Sequence, residues 1–208
     1  RPSNASAERK NILRSLGAEL ILTSPLEGTD GAQIVAKETY AANPDKYFYA
    51  DQYSNDANWQ AHYLTTAEEI WTQTKGKITH FVAGLGTTGT FVGTARRLKE
   101  LGNVQLISLQ PDHPFHPLEG WKHLATAHRP GIYDDTLADK TLVIDSSGVF
   151  DMIKSISIHE RLFISPSGAA NLLGALEVAS QIKEGDIVTT LADTLDRYQE
   201  VRKEIFGT

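Results

Sequence analysis

Phe81-Val-Ala-Gly-Leu-Gly-Thr-Thr-Gly-Thr-Phe-Val-Gly93 sets a turn rich in glycine and threonine between an apolar run and a helical pattern. Residues 78–83 are a short β-branched and aromatic stretch that reads as a strand. From Thr90 the spacing turns helical, through Ala95, Arg96, Leu98 and Lys99, until Gly102 stops it. Gly84, Gly86 and Gly89 let the backbone turn tightly and approach a ligand, so several N–H groups and the positive end of the helix dipole can face one anion. Thr87, Thr88 and Thr90 add hydroxyl donors. A plain strand-to-helix connection needs no threonines beside its glycines, so the stretch reads as a phosphate site.

The same spacing, Gly84-Leu-Gly-Thr-Thr-Gly89, also fits the dinucleotide fingerprint G-x-G-x-x-G. A nicotinamide-binding fold places an acidic residue at the end of the next strand to hold ribose hydroxyls. Residues 104–109 read as that strand, and Gln110-Pro111 stands at its end with Asp112 just beyond. Asp112 can substitute, so the dinucleotide reading is weakened and stays open.

Outward from this stretch, strands and helices alternate. Ser6 can cap a helix through Ser15, ended by Gly17; residues 18–23 form an apolar strand; Asp30 caps a second helix to about Ala42. A short strand near 47–50 and a helix near 67–74 precede the glycine loop. After the strand at 104–109, a helix follows Ser146 or Ser147 to about His159. Another follows Ser167, with Leu172, Leu173, Leu176 and Val178 largely on one side. Residues 187–191 form the last apolar strand, before a polar C-terminal helix. This alternation implies an α/β fold with a mostly parallel sheet flanked by helices on both faces, its ligands at the carboxyl ends of the strands.

The 208 residues suffice for one large or two small domains around a substantial core. A net charge of −6 argues against nucleic acid or an anionic membrane as partner. No apolar run approaches the length of a transmembrane helix, and the absence of cysteine removes disulfides, thiolate metal sites and cysteine nucleophiles together.

Five segments carry a resemblance. The loop with Gly93 and Arg96-Arg-Leu-Lys-Glu100 resembles the phosphate loop of the cysteine synthase (O-acetylserine sulfhydrylase) family, pyridoxal-phosphate enzymes of the tryptophan-synthase-β fold. Arg1-Pro-Ser-Asn-Ala-Ser-Ala-Glu-Arg-Lys10 with Leu16-Gly-Ala-Glu-Leu20 resembles its P-x-N-x-S-x-E-R-x…x-G-A-E-L segment. Asp51-Gln-Tyr-Ser-Asn-Asp-Ala-Asn58, His62-Tyr63, Thr65-Thr66 and Glu69-Ile-Trp71 resemble its Q-[FY]-x-N-x-A-N…H-Y-x-T-T-x-x-E-[IL]-W. Phe163-Ile-Ser-Pro-Ser-Gly-Ala-Ala170 resembles its G-I-S-S-G-A-A, and Leu191-Ala-Asp-Thr-Leu-Asp-Arg-Tyr198 its P-D-S-G-E-R-Y.

The resemblance implies that Gly86, Thr87, Thr88, Gly89 and Thr90 bind the phosphate of pyridoxal 5'-phosphate. It also implies that Gln52 helps bind the substrate carboxylate, that the turn at Gly131 lies beside the cofactor ring, and that the Thr194 hydroxyl meets the pyridine nitrogen. A neutral hydroxyl there leaves that nitrogen mostly unprotonated, which suits β-elimination and disfavours transamination. On sequence alone Thr194 also fits a helix cap, Gly131 an ordinary turn and Gln52 a solvated loop residue. Leu195 stands where the family has glycine. Pro166 replaces the first serine of the I-S-S-G motif, which leaves Ser165 and Ser167 as weak site candidates.

The activity implied is β-replacement: an activated serine, O-acetylserine or O-phosphoserine, loses its leaving group and gains sulfur from sulfide or another donor to give L-cysteine. Cystathionine β-synthase lies in the same class. The family's lysine that holds the cofactor as a Schiff base, in an N-P-x-G-S-x-K-D-R-type motif, has no counterpart among the lysines here, nor has its S-G-N-T-G-type loop. We therefore expect the C-terminal portion of a longer enzyme, inactive by itself. Residues 1–56 would be part of a small mobile domain and 57–208 the large cofactor-anchoring domain. A cytoplasmic homodimer completes the family picture.

Asp112, His113, His116 and His123 offer metal-ligand types at close spacing, but a zinc site needs three or four of them converging with ordered support. Four prolines between Pro111 and Pro130 point instead to an irregular surface loop. In the family this segment borders the active-site mouth, where it and Lys122 would meet an anionic leaving group or a sulfur-donor protein.

Overall fold

The computed structural model describes residues 1–207; Thr208, the last residue of the expected larger domain, lies outside the described residues. The chain divides into two compact units, Arg1–Asp51 and Gln52–Thr208.

In the first unit, α1 (Ala7–Ser15) starts at Ser6, whose side chain accepts the Arg9 amide at 3.4 Å. It ends where Gly17 turns left-handed at φ +82°. The second helix, α2 (Gly28–Ala42), begins two residues before the expected cap, so Asp30 lies inside the first turn, where its charge still complements the helix dipole. The strands expected at 18–23 and 47–50 are not formed. The first contributes only a parallel bridge, Pro2 with Thr23. Propensity makes a segment extended, but a ladder makes it a strand, and here Ile21 and Phe48 face solvent.

The second unit is built on a four-stranded, wholly parallel sheet ordered β3-β2-β1-β4: β1 (Ile78–Gly84), β2 (Gln105–Pro111), β3 (Lys140–Ile144) and β4 (Asp186–Thr189). Helix α5 (Gly89–Leu101) connects β1 to β2 and packs with α3 (Ala57–Leu64) and α4 (Thr66–Gln73). The expected helix at 67–74 is α4; α3 was not foreseen. Helices α6 (Val149–His159) and α7 (Pro166–Gln181) lead from β3 to β4, and α8 (Gln199–Phe206) closes the chain against α6.

Side-chain alternation assigns the two faces of the sheet. Phe81, Ala83 and Leu106 join Phe91, Val92, Ala95 and Leu98 in one core, with the Phe81 and Phe91 rings stacked at 6.2 Å. Val82, Ile107, Leu109 and Leu142 join Val149, Ile153, Ala169 and Val178 in the other. Each fully buried large apolar side chain contributes roughly 1.5–3 kcal/mol. The α7 face against the sheet is narrower than expected, because it buries Gly168, Ala169, Ala170, Gly174 and Ala175 while Leu176 is exposed. A methyl group at Gly174 would come within 2.5 Å of Leu109 Cδ1, so small residues set the helix-to-sheet distance.

Candidate functional site

The connectivity of the sheet marks a ligand position. The chain steps outward from β1 through β2 to β3, then returns to the far side of β1 with β4, and the crevice at such a switch point, at the carboxyl ends, is where open α/β sheets bind ligands. Asn171 of α7 spans this fork. Its Oδ1 accepts the Gly84 amide at 2.8 Å, and its Nδ2 donates to the Thr190 carbonyl at 2.7 Å. Sequence reasoning missed Asn171, although an asparagine inside an alanine- and leucine-rich helix is itself a signal that its side chain has a task.

The Gly84–Thr90 loop leaves β1 at this fork and enters α5. Backbone from the β2–β3 connection crosses it closely. A side chain at Gly86 would run into the Gly120 carbonyl, and one at Gly84 into the Trp121 indole. The Lys122 amide donates to the Leu85 carbonyl at 2.8 Å. On the other side a side chain at Gly89 would collide with the Asn58 amide. None of these three glycines is left-handed, and the turn itself is taken by Thr88, so the glycines serve close approach rather than turning.

The three threonines of the loop differ. Thr87 Oγ1 accepts from Asn58 Nδ2 at 3.1 Å and from the Gly89 amide at 3.4 Å. Thr90 Oγ1 lies 3.2 Å from His62 Nε2, and His62 Nδ1 lies 3.0 Å from Thr66 Oγ1. Burial pushes the His62 imidazole below its ordinary value, so it stays neutral at pH 7. Thr88 is buried, holds a left-handed φ of +74°, and its hydroxyl has no hydrogen-bond partner. A β-branched residue in that conformation is strained by about 1–3 kcal/mol, and such strain gathers at ligand clamps. An anion with several acceptor oxygens fits this cradle: it would satisfy the Thr88 hydroxyl and the first amides of α5 together.

The residues expected on the substrate side connect to the same loop through Asn58. The Gln52 carbonyl accepts Asn58 Nδ2 at 2.5 Å. Gly131 packs where a methyl group would come within 3.0 Å of Ser54 Oγ, and the Ile132 amide donates to the Tyr53 carbonyl at 3.3 Å. Lys122, only 7 % exposed, has its ammonium 5.1 Å from the Tyr53 ring centroid. Hydrogen bonds and close packing thus join the segments bearing Gln52, Gly86, Thr87, Thr88, Gly89, Thr90 and Gly131. Thr194 stands apart. It bridges Ile164 and gives its hydroxyl to Asp196 at the head of a single 3-10 turn, which it does not cap through its side chain. Ser165 and Ser167 are buried at the start of α7, where Ser165 accepts the Gly168 amide at 3.2 Å ahead of Pro166 at the first helical position.

The histidine loop has local tasks. Asp112 accepts from the Ser146 hydroxyl at 2.7 Å and the Ser146 amide at 3.3 Å; burial opposes its ionisation, yet these bonds hold its carboxyl below the usual range. Asp112 thereby ties the end of β2 to the end of β3. His116 accepts the Leu118 amide at 3.1 Å, and His123 Nδ1 lies 2.8 Å from Thr126 Oγ1. Among the described residues no group of three or more His, Cys, Asp or Glu is placed to hold a metal ion.

Known proteins resemble this chain in sequence and fold. The model of the family described as pyridoxal-phosphate dependent enzyme matches residues 1–193. The chain is 44% identical to a cysteine synthase of Aquifex aeolicus, over 95% of this chain and 62% of the relative. It is 37% identical to cysteine synthase B of Escherichia coli, over 95% of this chain and 64% of the relative. The chain thus spans just under two thirds of the length of these relatives. Among solved structures it superposes on an Entamoeba histolytica cysteine synthase with a TM-score of 0.88 at 29% identity, covering 100% of this chain and 63% of that one. It superposes on an O-acetylserine dependent cystathionine beta-synthase of Helicobacter pylori with a TM-score of 0.87 at 32% identity, covering 96% and 67%. With a parallel sheet carrying a glycine–threonine cradle at its switch point and a family match along nearly its whole length, the chain belongs to the pyridoxal-phosphate dependent enzymes.

Proposed function

We propose that this protein is a pyridoxal-phosphate-dependent β-replacement enzyme that forms L-cysteine from an activated serine, O-acetylserine or O-phosphoserine, and a sulfur donor. The observation that carries the reading is the cradle itself: a buried, strained Thr88 with an unsatisfied hydroxyl, at a helix N-terminus and a topological switch point. The identity to proteins named cysteine synthase supports the choice of reaction.

Pyridoxal phosphate bound there would supply an electron sink for the amino-acid α-carbon. Gly86, Thr87, Thr88, Gly89 and Thr90 hold its phosphate through amide and hydroxyl donors. Gln52 would orient the substrate carboxylate, and Gly131, by admitting Ser54 at close range, would set the position of segment 52–55 beside the ring. Trp121 and the backbone around Gly120 cover the loop and exclude water. Thr194 would offer its hydroxyl to the ring nitrogen only after releasing Asp196. No lysine of this chain is assigned the transfer of the α-proton. Lys122, a buried cation beside Tyr53, favours a leaving group that is itself anionic.

A mobile role for residues 1–56, a homodimeric assembly and a cytoplasmic setting belong to the same reading. Among the described residues no helix is long and apolar enough to cross a membrane. A cystathionine β-synthase activity is the second reading, favoured by the Helicobacter pylori neighbour. The nicotinamide alternative is disfavoured because Asp112, its ribose ligand, is committed to Ser146.

The test is cysteine formation by the protein purified from its own source, supplied with sulfide and either O-acetylserine or O-phosphoserine. Turnover with bound pyridoxal phosphate is expected. Recovery of bound NAD, no pyridoxal phosphate and no cysteine would overturn the reading.

A further inference from the structure

One side chain touches both the anion cradle and the segment that carries Gln52. Asn58, near the start of α3, donates from Nδ2 to the Gln52 carbonyl at 2.5 Å and to Thr87 Oγ1 at 3.1 Å. A carbonyl only accepts, so the chemistry fixes which end of the amide faces it, and both Nδ2 protons are in use. Thr87 Oγ1 also receives the Gly89 amide at 3.4 Å. A hydroxyl has two acceptor sites and one proton; with both sites filled, the Thr87 proton is left to donate. The Asn58 amide nitrogen reaches the Asn55 carbonyl at 3.0 Å, which fastens α3 to the turn 52–55. A side chain at Gly89 would collide with Asn58 Oδ1, so the cradle is shaped around this residue.

We propose that Asn58 is a positioning residue that couples filling of the phosphate cradle to ordering of the substrate-binding segment 52–55. The inference rests on the reading of the cradle as a phosphate site. When a phosphate oxygen accepts a hydrogen bond from the Thr87 hydroxyl, that hydroxyl oxygen becomes a better acceptor and its bond from Asn58 strengthens. Asn58 in turn pins the Gln52 carbonyl, so Gln52 meets the incoming carboxylate from a fixed backbone. The coupling is reciprocal: the amino-acid substrate tightens the hold on phosphate by the same factor.

Hydrogen exchange on the native holoprotein, before and after removal of pyridoxal phosphate, tests this. In the wild type, removal should speed exchange at both 84–90 and 52–58, by about tenfold. In Asn58→Ala, 52–58 should exchange fast with or without cofactor while 84–90 still responds, and KM for the amino-acid substrate should rise about tenfold with kcat within about threefold. Asn58→Asp keeps the shape but sets a carboxylate against the Gln52 carbonyl, while the Thr87 hydroxyl can turn its proton to it and away from phosphate; it should show the same loss of order at 52–58 if the alanine variant folds poorly. A variant whose 52–58 segment still follows the cofactor as in the wild type, with unchanged KM, would overturn the coupling alone. A wild type in which 84–90 ignores the cofactor would remove the phosphate-site reading, and the coupling with it.

Discussion

Asn171 Oδ1 accepts the Gly84 amide at 2.8 Å while its Nδ2 reaches the Thr190 carbonyl at 2.7 Å, so one buried side chain of α7 ties together the diverging ends of β1 and β4. Asn171→Leu leaves a donor and an acceptor unsatisfied at the fork, which costs about 2–4 kcal/mol. Urea unfolding should show that loss as a lower midpoint with an unchanged slope. A midpoint equal to wild type would mean that α7 holds the strands by packing alone.

Thr88 combines strain with an unsatisfied hydroxyl, and the two make opposite demands. Thr88→Gly relieves the left-handed backbone, which stabilises the cofactor-free protein by about 1 kcal/mol. It also removes a donor to phosphate and weakens pyridoxal phosphate binding about tenfold. Thermal unfolding and cofactor titration measure the two signs separately. A destabilised variant with full affinity would contradict the clamp.

His62 makes the cradle sensitive to acid. Its folded imidazole titrates below the ordinary 6.5 because it is buried, so the unfolded chain takes up a proton first. The contribution of neutral His62 is therefore complete above pH 6.5 and is lost as pH falls from there toward the lower folded value. Unfolding free energy measured across this window should fall with acid, and more shallowly in His62→Gln. Parallel profiles would assign the acid sensitivity to other groups, such as His116, whose imidazole is also lowered, by burial and then by its histidine neighbours.

Thr194 gives its hydroxyl to Asp196 and is exposed. If that hydroxyl turns from Asp196 to serve the ring nitrogen instead, Thr194→Ser is nearly silent. Thr194→Asp instead raises the proton affinity of the nitrogen and slows turnover about tenfold or more at unchanged stability. Rates and unfolding midpoints of both variants decide it. An aspartate variant at the wild-type rate would leave Thr194 a loop residue.

The glycine loop and its flanking elements were legible because strand, turn and helix signals there are local. The fork was not, because Asn171 and Gly84 are far apart in sequence and meet only through the sheet order. Strand β3 was missed: it opens on exposed Lys140 and Thr141, only Leu142 and Ile144 are buried, Val143 faces out, and it offers no long apolar run. In the first unit the opposite error occurred, since the apolar runs around Ile21 and Phe48 carry strand propensity without a ladder to join. Asn58 lay inside a recognised motif, yet nothing in its neighbours announced that it reaches Thr87, 29 residues onward.

The central claim is that the Gly84–Thr90 loop holds a phosphate ester. Titrating the cofactor-free native protein with pyridoxal 5'-phosphate and, in parallel, with pyridoxal isolates that one group. The account predicts that the phosphate improves affinity by about a hundredfold or more, as several charge-assisted hydrogen bonds at a helix N-terminus supply, and that Thr88→Ala narrows the gap. Equal affinity for pyridoxal and its phosphate ester would contradict it.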